Sequence, residues 1–282
     1  MPPRRQRAIR GAAFKASQWP DGTPWLSHHR RRSGFLLRFQ GLADFVLNSA
    51  ANVAQCWPTH GTSEATVEHL FLNQIVPLAL SQQGQLVLHG SAVNADGSAL
   101  AFLGDSGQGK STLAGHFSAH GMPFLTDDGL LVDQRGARAR VAPGHRSIRL
   151  WADSERSLLP VGVQKSGAVQ FTNKGRFHAG EVFPHCAEPC DLRCIYLLRN
   201  SGVDAVQISP VPAATAFIAL VNHSFLLDTE SSAVLGRHFS QLQTLVRTTK
   251  VFSLDYPRDF SQLSQVRSTI VAHAKSLPDF AK

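Results

Sequence analysis

The residues best suited to do chemistry lie in the stretch FLGDSGQGKSTLAGHF, residues 102–117. Within it, the segment from Gly104 to Ser111 fits the pattern G-x-x-x-x-G-K-[S/T] at every fixed position. Glycines let backbone N–H groups surround phosphate oxygens without a Cβ in the way, and a helix that begins at Lys110 would add its positive N-terminal end. The sequence therefore predicts a loop that binds a nucleotide triphosphate.

The residues of this loop have different expected contacts. Lys110 would reach the β- and γ-phosphates, and the Ser111 hydroxyl would bind Mg²⁺. ATP and Mg²⁺ are therefore the expected cosubstrate and metal. The other residues expected to bind the nucleotide are Gly104, Asp105, Ser106, Gly107, Gln108, Gly109 and Thr112.

Two adjacent carboxylates, Asp127 and Asp128, follow the apolar segment that comes after the predicted loop helix. Neighbouring side chains at a strand end point in different directions, so one carboxylate could serve the metal while the other faces the phosphate acceptor. We expect Asp127 to be the metal ligand of the pair. Asp133 and Asp153 are further acidic candidates, and a single aspartate of this kind is commonly a turn or cap residue.

His89 lies in the segment LHGSAV, just upstream of the strand that leads into the loop. An isolated histidine beside a glycine is more often structural than functional. The carboxyl ends of parallel strands, however, gather at the edge of a sheet where ligands bind. We therefore expect His89 to lie at such a strand end, close to the phosphate loop.

Hydrophobic patterning predicts the elements that must position these residues. Strands are expected at 86–94 and 99–103, joined by a turn at Asp96-Gly97, with a helix from about 110 to 119 and a buried strand at 124–126. A helix is also expected from Ser63 onward, and further strands and amphipathic helices follow to the C-terminus. This alternation predicts an α/β fold.

The positive charge of the chain is concentrated at its N-terminus. Residues 1–33 carry eight basic side chains and one acidic one, which accounts for seven of the eight net positive charges. We predict a basic, flexible tail there, with an arm that meets an acidic partner or a targeting peptide as alternatives. Residues 34–85 are predicted to form a strand and helix segment packed on the core, and residues 86–282 the catalytic domain.

Composition excludes several classes of protein. The hydrophobic share of 43% and the charged share of 17% are those of a globular protein, and no apolar run is long enough to span a membrane. With the excess charge confined to the tail, we expect neither nucleic acid nor membrane as a partner. The cysteine spacing fits no common metal motif, so reduced thiols in a cytoplasmic protein are favoured over a metal site at Cys186, Cys190 and Cys194.

Taken together, His89-Gly90, the loop GDSGQGKS and LTDD resemble the catalytic core of the HPr kinase/phosphorylase family, whose members phosphorylate a serine on a small protein. The resemblance implies a P-loop kinase core related to phosphoenolpyruvate carboxykinase, with a mixed sheet, flanking helices and extra N-terminal strands. It also implies ATP, Mg²⁺ and a homo-oligomer. Thr112 departs from the family, which has Glu there, and the large N-terminal regulatory domain of the family has no counterpart.

The resemblance also implies roles for individual residues. Asp128 would take the proton from the acceptor hydroxyl, and His89 would lie beside the reacting phosphate. Lys110 would hold phosphate oxygens, and Asp153, at the position of the family's glutamate, would be a metal ligand. The loop 160–182 would cover the site, with phosphate or substrate contacts from Lys165, Lys174 and Arg176.

A shorter branch of kinases similar to this family, found with lasso-peptide biosynthesis, is closer still. The shared segments are LRFQGLADF, H-x-SAV, FLGDSGxGKSTLA and RLW-x-DS. This branch phosphorylates a serine at the C-terminal end of a precursor peptide, which implies a peptide or small-protein substrate here. The alternatives are a kinase of an HPr-type carrier or of a small-molecule hydroxyl, and a nucleotide-binding regulatory protein without catalytic activity.

Overall fold

The computed structural model of the protein describes residues 1–19, 21–136 and 138–278. The chain divides into two compact units. The first contains Met1–Gln85, Ala168–Thr172 and Leu226–His238, and the second contains the remaining segments. Among the described residues, no helix combines the length and the apolar character that crossing a membrane requires.

The first unit is built on an antiparallel sheet of five strands in sequence order. The strands are β1 (Lys15–Gln18), β2 (Pro24–Arg31), β3 (Gly34–Phe39), β4 (Ala43–Asn48) and β5 (Ala54–Pro58). Phe39 and Phe45 are fully buried and pack edge to face, with ring centroids 5.8 Å apart. Burial of such apolar side chains is the main stabilising contribution to a sheet of this kind.

The sheet is followed by a helical segment that starts where the sequence predicts. It consists of α1 (Glu64–Leu70), a π-helical turn (Phe71–Ile75) and α2 (Val76–Gln82). The Ser63 side chain accepts a hydrogen bond from the N–H of Thr66 and so caps α1. Pro77 lies just after the π-helical turn of this continuous helical segment, where it has no N–H to donate to the preceding turn.

The N-terminal residues differ from the flexible tail predicted for 1–33, because strands β1 and β2 lie within that range. The Leu26 and His28 side chains of β2 are buried while its terminal arginines are exposed. Several basic groups have fixed partners: Arg30 forms an ion pair with Asp228 at 2.6 Å. The prediction rested on the number of charges in this region. It overlooked the alternation of buried and more exposed side chains in β2, which is typical of a strand.

The second unit contains a mixed sheet of eight strands, as the predicted fold class requires. Its strands are β6 (Leu86–Ala95), β7 (Ser98–Leu103), β8 (Phe124–Thr126), β9 (Gly129–Asp133), β10 (Arg140–Val141), β13 (Cys190–Leu198), β14 (Gln207–Pro210) and β15 (Lys250–Asp255). The order is β10-β9-β6-β7-β13-β15-β14, and β8 pairs with β6. Strands β7, β13 and β15 run parallel, so their carboxyl ends meet at one edge. A separate antiparallel pair consists of β11 (Ser147–Leu150) and β12 (Gly175–His178).

Helices cover both faces of this sheet. They are α3 (Lys110–Ala119), α4 (Ala152–Leu158), α5 (Ala179–Val182), α6 (Ala213–Asn222), α7 (Ser232–Thr248) and α8 (Leu263–Ser276), with a 3₁₀ turn at Phe260–Gln262. Phe102 of β7 packs in the same cluster as Phe117 of α3, whereas its neighbour Leu103 packs in a cluster with Leu220 of α6. Adjacent residues of a strand point to opposite faces, so β7 contributes to two cores.

The cysteines are free thiols. The Sγ atoms of Cys186 and Cys190 lie 3.6 Å apart, and Cys194 is fully buried in β13. Burial is the main cause that raises the pKa of Cys194 to about 11. Among the described residues, no group of three or more His, Cys, Asp or Glu side chains is arranged to hold a metal ion.

Candidate active site

The glycine-rich segment forms a tight loop between β7 and α3. Gly107 and Gly109 both have φ angles of +87°, which side chains with a Cβ rarely adopt. A Cβ on Gly109 would lie 2.6 Å from the Tyr256 hydroxyl oxygen. The loop conformation therefore depends on glycine at this position. Helix α3 begins at Lys110, so its free N–H groups face the loop.

Lys110 is buried, with 7% of its surface exposed. Its Nζ donates hydrogen bonds to the carbonyl oxygens of Gly104, at 2.7 Å, and Asp105, at 3.1 Å. Burial lowers the pKa of Lys110, and the nearby carboxylates of Asp127 and Asp128 oppose that shift. A buried ammonium group held by uncharged carbonyls in a glycine loop is suited to bind an anion.

Asp127 and Asp128 directly follow β8 and have different partners. Asp127 Oδ1 accepts hydrogen bonds from Ser91 Oγ, at 2.5 Å, and Ser111 Oγ, at 2.9 Å. Asp128 Oδ2 accepts from Arg149 Nη2, at 2.7 Å, and Arg149 Nε, at 3.1 Å. The φ angle of Asp128 is +64°, which aspartate tolerates better than most residues. The turn therefore gives the two carboxylates different partners: Asp127 accepts from the Ser91 and Ser111 hydroxyls and from the Arg149 backbone N–H, whereas Asp128 accepts from the Arg149 guanidinium.

Asp127 is almost completely buried. Burial raises its pKa, the neighbouring charge of Asp128 raises it further, and the hydrogen bond from Ser91 opposes both effects. The Ser91 and Ser111 hydroxyls both donate to Asp127 Oδ1, and such donors favour the charged form of a carboxyl group. An oxygen pair of this type is what a hard cation such as Mg²⁺ prefers.

His89 lies close to the loop, but not for the reason expected from the sequence. Strand β6 runs antiparallel to β7, so the beginning of β6 lies beside the end of β7, with Gly90 opposite Leu103. The prediction of a parallel strand end is therefore wrong. The His89 Nδ1–H donates to the carbonyl of Asp128 at 3.1 Å. Burial lowers the pKa of His89 to about 4, so its ring is neutral at pH 7.

These residues line one cleft with a volume of about 140 Å³. The predicted residues that it brings together are His89, Ser106, Gly107, Gly109, Lys110, Ser111, Thr112, Asp128 and Lys174. Gly104, Asp105 and Gln108 belong to the loop itself, and Asp127 contacts Ser111 from behind the lining. The cleft combines one carboxylate, which could accept a proton, with several cationic side chains, which could bind a phosphate.

Two lining residues, Arg149 and Trp151, received no role from the sequence. Arg149 is a charged residue in β11, between the buried Ile148 and Leu150. A charged residue within an apolar strand is a sequence signal that could have indicated a functional position. Ser91, which lies within β6 and contacts Asp127, carried no signal of this kind. Lys174 lies with its Nζ 5.2 Å from the ring centroid of Trp151. Burial lowers the pKa of Lys174, with a further contribution from the charge of Arg149.

The remaining candidates lie elsewhere. Asp153 is in α4, and its Oδ1 accepts a hydrogen bond from the N–H of Ser154 at 2.6 Å. It does not line the cleft. Lys165 forms an ion pair with Glu155 at 2.7 Å. Asp133, the other acidic candidate from the sequence, pairs with its neighbour Arg135 at 2.9 Å.

Comparisons with known proteins add little to this description. No protein-family model matches the sequence, and no curated protein matches it. Among solved structures, the chain is similar to the structure of the Hpr(Ser) kinase/phosphatase from Coxiella burnetii, with 12% sequence identity over 66% of this chain and 97% of that chain. The TM-score is 0.35, and at so low a value the similarity carries no argument about this protein's activity.

Proposed function

We propose that the protein is an ATP- and Mg²⁺-dependent phosphotransferase that phosphorylates a serine hydroxyl on a peptide or small protein. One observation carries the proposal. A buried lysine in a glycine loop and a carboxylate suited to accept a proton, Lys110 and Asp128, line the same small cleft. Phosphate transfer to an alcohol requires both, because the donor must be held and the acceptor must lose a proton.

The residues of the cleft fit a triphosphate. The Lys110 Nζ donates hydrogen bonds to two carbonyl oxygens of the loop. Carbonyl oxygens are weaker partners for an ammonium group than phosphate oxygens are. Arg149 and Lys174 face the same space and add positive charge where a terminal phosphate would lie. Phosphoryl transfer is catalysed mainly by positioning and by stabilisation of charge, and this set of side chains supplies both.

Ser111 and Asp127 fit Mg²⁺. Their oxygens lie 2.9 Å apart, and Mg²⁺ in proteins commonly takes one or two protein oxygens and completes its shell with water and phosphate. Bound there, Mg²⁺ would neutralise negative charge on the β- and γ-phosphates. Asp153 is not needed for this role.

The proposed reaction assigns a proton to a specific atom. The acceptor oxygen forms a bond to the γ-phosphorus while its proton moves to the Asp128 carboxylate. The bond between the γ-phosphorus and the bridging oxygen breaks, and ADP leaves with that electron pair. His89, neutral and hydrogen-bonded to the Asp128 carbonyl, would hold the turn that carries this carboxylate.

The acceptor is proposed from the sequence resemblance. The segments shared with the lasso-peptide branch support a serine at the C-terminal end of a precursor peptide as the substrate. An HPr-type carrier or a small-molecule hydroxyl would use the same donor site. A nucleotide-binding regulator without catalytic activity would need the loop, but it would not need a carboxylate beside the terminal phosphate.

The variant Asp128→Asn tests the proposal. It is expected to bind ATP as the unchanged protein does and to lose at least about a hundredfold in phosphate transfer, because an amide cannot accept the proton. Mass spectrometry would follow the gain of one phosphate on serine-ended precursor peptides and on an HPr-type protein. Exposed Asp96→Asn is the matched control. Transfer at an unchanged rate by Asp128→Asn would refute the assigned base, and no transfer to any hydroxyl by the unchanged protein would favour the regulator.

A further inference from the structure

A second cavity adjoins the phosphate cleft. Its volume is about 260 Å³, and it shares Gly107, Gly109, Thr112 and Trp151 with the cleft. The shared residues form a common wall, so one elongated ligand could occupy both spaces. The second cavity is the larger of the two, and its lining is more aromatic.

The direction in which a bound nucleotide must extend follows from the loop. Lys110 and Ser111 would hold the outer phosphates, and the next residue of α3, Thr112, is where the innermost phosphate would meet the helix N-terminus. Thr112 Oγ1 lies 2.9 Å from Ser154 Oγ of α4, so the second cavity begins at this point. The part of the nucleotide beyond its phosphates would therefore lie in the second cavity.

The far wall of the cavity comes from the carboxyl ends of the parallel strands. Asn200 follows β13, and Tyr256 and Arg258 follow β15. Ligands of open α/β sheets bind in the crevice outside these strand ends. The cavity is thus located where the sheet topology predicts a ligand.

This wall presents flat surfaces. The Arg258 guanidinium lies 3.9 Å from the centroid of the Tyr256 ring. Arg258 Nη1 donates to the carbonyl of Gln108 in the loop at 2.7 Å, and Nη2 donates to the carbonyl of Arg199. The guanidinium is therefore fixed from both sides, and half-buried Phe260 lies in the same wall. Planar aromatic and guanidinium groups are the surfaces on which bases stack.

The wall near Thr112 presents a carboxylate. Asp153 is exposed, and its Oδ1 accepts hydrogen bonds from the Ser154 N–H at 2.6 Å and from Ser154 Oγ at 3.4 Å. A carboxylate in this position is suited to accept hydrogen bonds from the vicinal hydroxyls of a ribose. Asp259 is not suited to this role, because its two oxygens accept from Ser261 N at 2.9 Å and from Ser261 Oγ at 2.7 Å.

We propose that this second cavity binds the nucleoside of the triphosphate, with the ribose at Asp153 and the base stacked against Phe260 and the Arg258 guanidinium. The proposal rests on the proposed function, since it assumes that the loop holds a triphosphate. It gives Asp153 a role in binding the sugar in place of the metal.

The first test compares ATP with inorganic triphosphate by calorimetry on the full chain in Mg²⁺. The unchanged protein is expected to bind ATP at least about tenfold more tightly, the size expected for one stacked base. Phe260→Ala should abolish most of this difference and leave the affinity for triphosphate unchanged, whereas Phe260→Tyr should retain it. Phe239→Ala, a second partly exposed phenylalanine, is the control.

The outcomes separate the two proposals. Equal affinities of the unchanged protein for ATP and triphosphate, or an equal loss for both ligands in Phe260→Ala, would overturn the nucleoside site and leave the phosphate loop intact. Binding of neither ligand would instead refute the proposed function.

The second test concerns the ribose. Asp153→Asn is expected to weaken ATP severalfold and to leave 2′,3′-dideoxy-ATP unchanged, because only ATP offers the two hydroxyls. Thermal unfolding of the variant controls for loss of fold. An equal loss for both nucleotides, accompanied by a higher Mg²⁺ requirement, would overturn the ribose assignment and restore Asp153 as a metal ligand.

Discussion

Arg149 donates two hydrogen bonds to a single oxygen of the Asp128 carboxylate, from Nη2 at 2.7 Å and from Nε at 3.1 Å. Both side chains are largely buried, and both line the cleft next to the phosphate loop. A guanidinium in this position can orient the proton acceptor and also contact a transferred phosphate. In the proposed reaction, Arg149 would therefore contact both the carboxylate that accepts the proton and the phosphate that is transferred.

Replacing Arg149 tests this link. Arg149→Met is expected to lower kcat by about 10²–10³-fold, the usual effect of removing one group that stabilises transition-state charge, with a smaller loss of ATP affinity. Arg149→Lys should recover part of the rate, because it restores charge but not the paired donors. Steady-state kinetics with the phosphorylated peptide as product would measure both effects. The exposed Arg135→Met is the control, and an unchanged kcat in Arg149→Met would contradict the assignment.

Two buried serines allow a matched test of the hydrogen bond to Asp127. Ser91 Oγ donates to Asp127 Oδ1, whereas the Ser118 hydroxyl, also fully buried, has no hydrogen-bond partner among the residues that the structure describes. Ser91→Ala should lower the free energy of unfolding by about 1–3 kcal/mol, because a buried carboxylate loses a donor. Ser118→Ala should be neutral or slightly stabilising, because it removes an unsatisfied polar group. Urea unfolding measures both, and equal losses would indicate a simple packing effect.

The sequence predicts the glycine loop and its flanking strand and helix well because their determinants are local. The loop pattern needs glycine at fixed places, an apolar strand before it and a helix after it, and each of these is visible within a short window. The boundaries of α3 match the predicted 110–119 for the same reason. The Asp127–Asp128 pair could also be placed, since it directly follows a short apolar strand.

The parts that the sequence did not predict depend on pairing between distant segments. The contacts of Ser91 with Asp127 and of Arg149 with Asp128 join residues from separate strands, and no local pattern encodes them. The position of His89 follows from antiparallel pairing of β6 with β7, which the predicted Asp96-Gly97 turn implies and which the expectation of a parallel strand end did not take into account. Strand β2 was missed because its terminal arginines dominated the charge count of the N-terminal region.

Strands β1 and β2 are part of the folded first unit, so deleting the N-terminal residues should disrupt that unit. Removing residues 2–30 eliminates β1 and nearly all of β2, which pairs with β3 along six residues. We expect such a chain to lose the cooperative unfolding transition of the first unit, because the buried edge of β3 becomes exposed. Replacing the exposed Arg5, Arg10 and Arg32 with serine should leave thermal stability unchanged. Retained folding by the deletion, seen by circular dichroism, would contradict the structural role of these strands.

We predict that the protein loses stability in mild acid because of three buried or partly buried histidines. Burial, the leading cause in each case, lowers the pKa of His28 to about 3 and those of His89 and His116 to about 4. In the unfolded chain these pKa values return to about 6.5. Between pH 6.5 and pH 4 the unfolded chain therefore binds more protons than the native protein, so the free energy of unfolding decreases as the pH falls.

Thermal unfolding followed from pH 8 to pH 4.5 is the measurement for these histidines. The midpoint should stay nearly level above pH 7 and fall by several degrees toward pH 5. His28→Phe should reduce the slope, because within the described part of the chain the buried His28 Nδ1 has no hydrogen-bond partner and the ring packs edge to face on Phe14. The exposed His60→Gln should leave the slope unchanged. If the unfolding midpoint fell equally steeply with pH in His28→Phe and His60→Gln, the loss of stability in acid would arise from carboxylates and not from the imidazole rings.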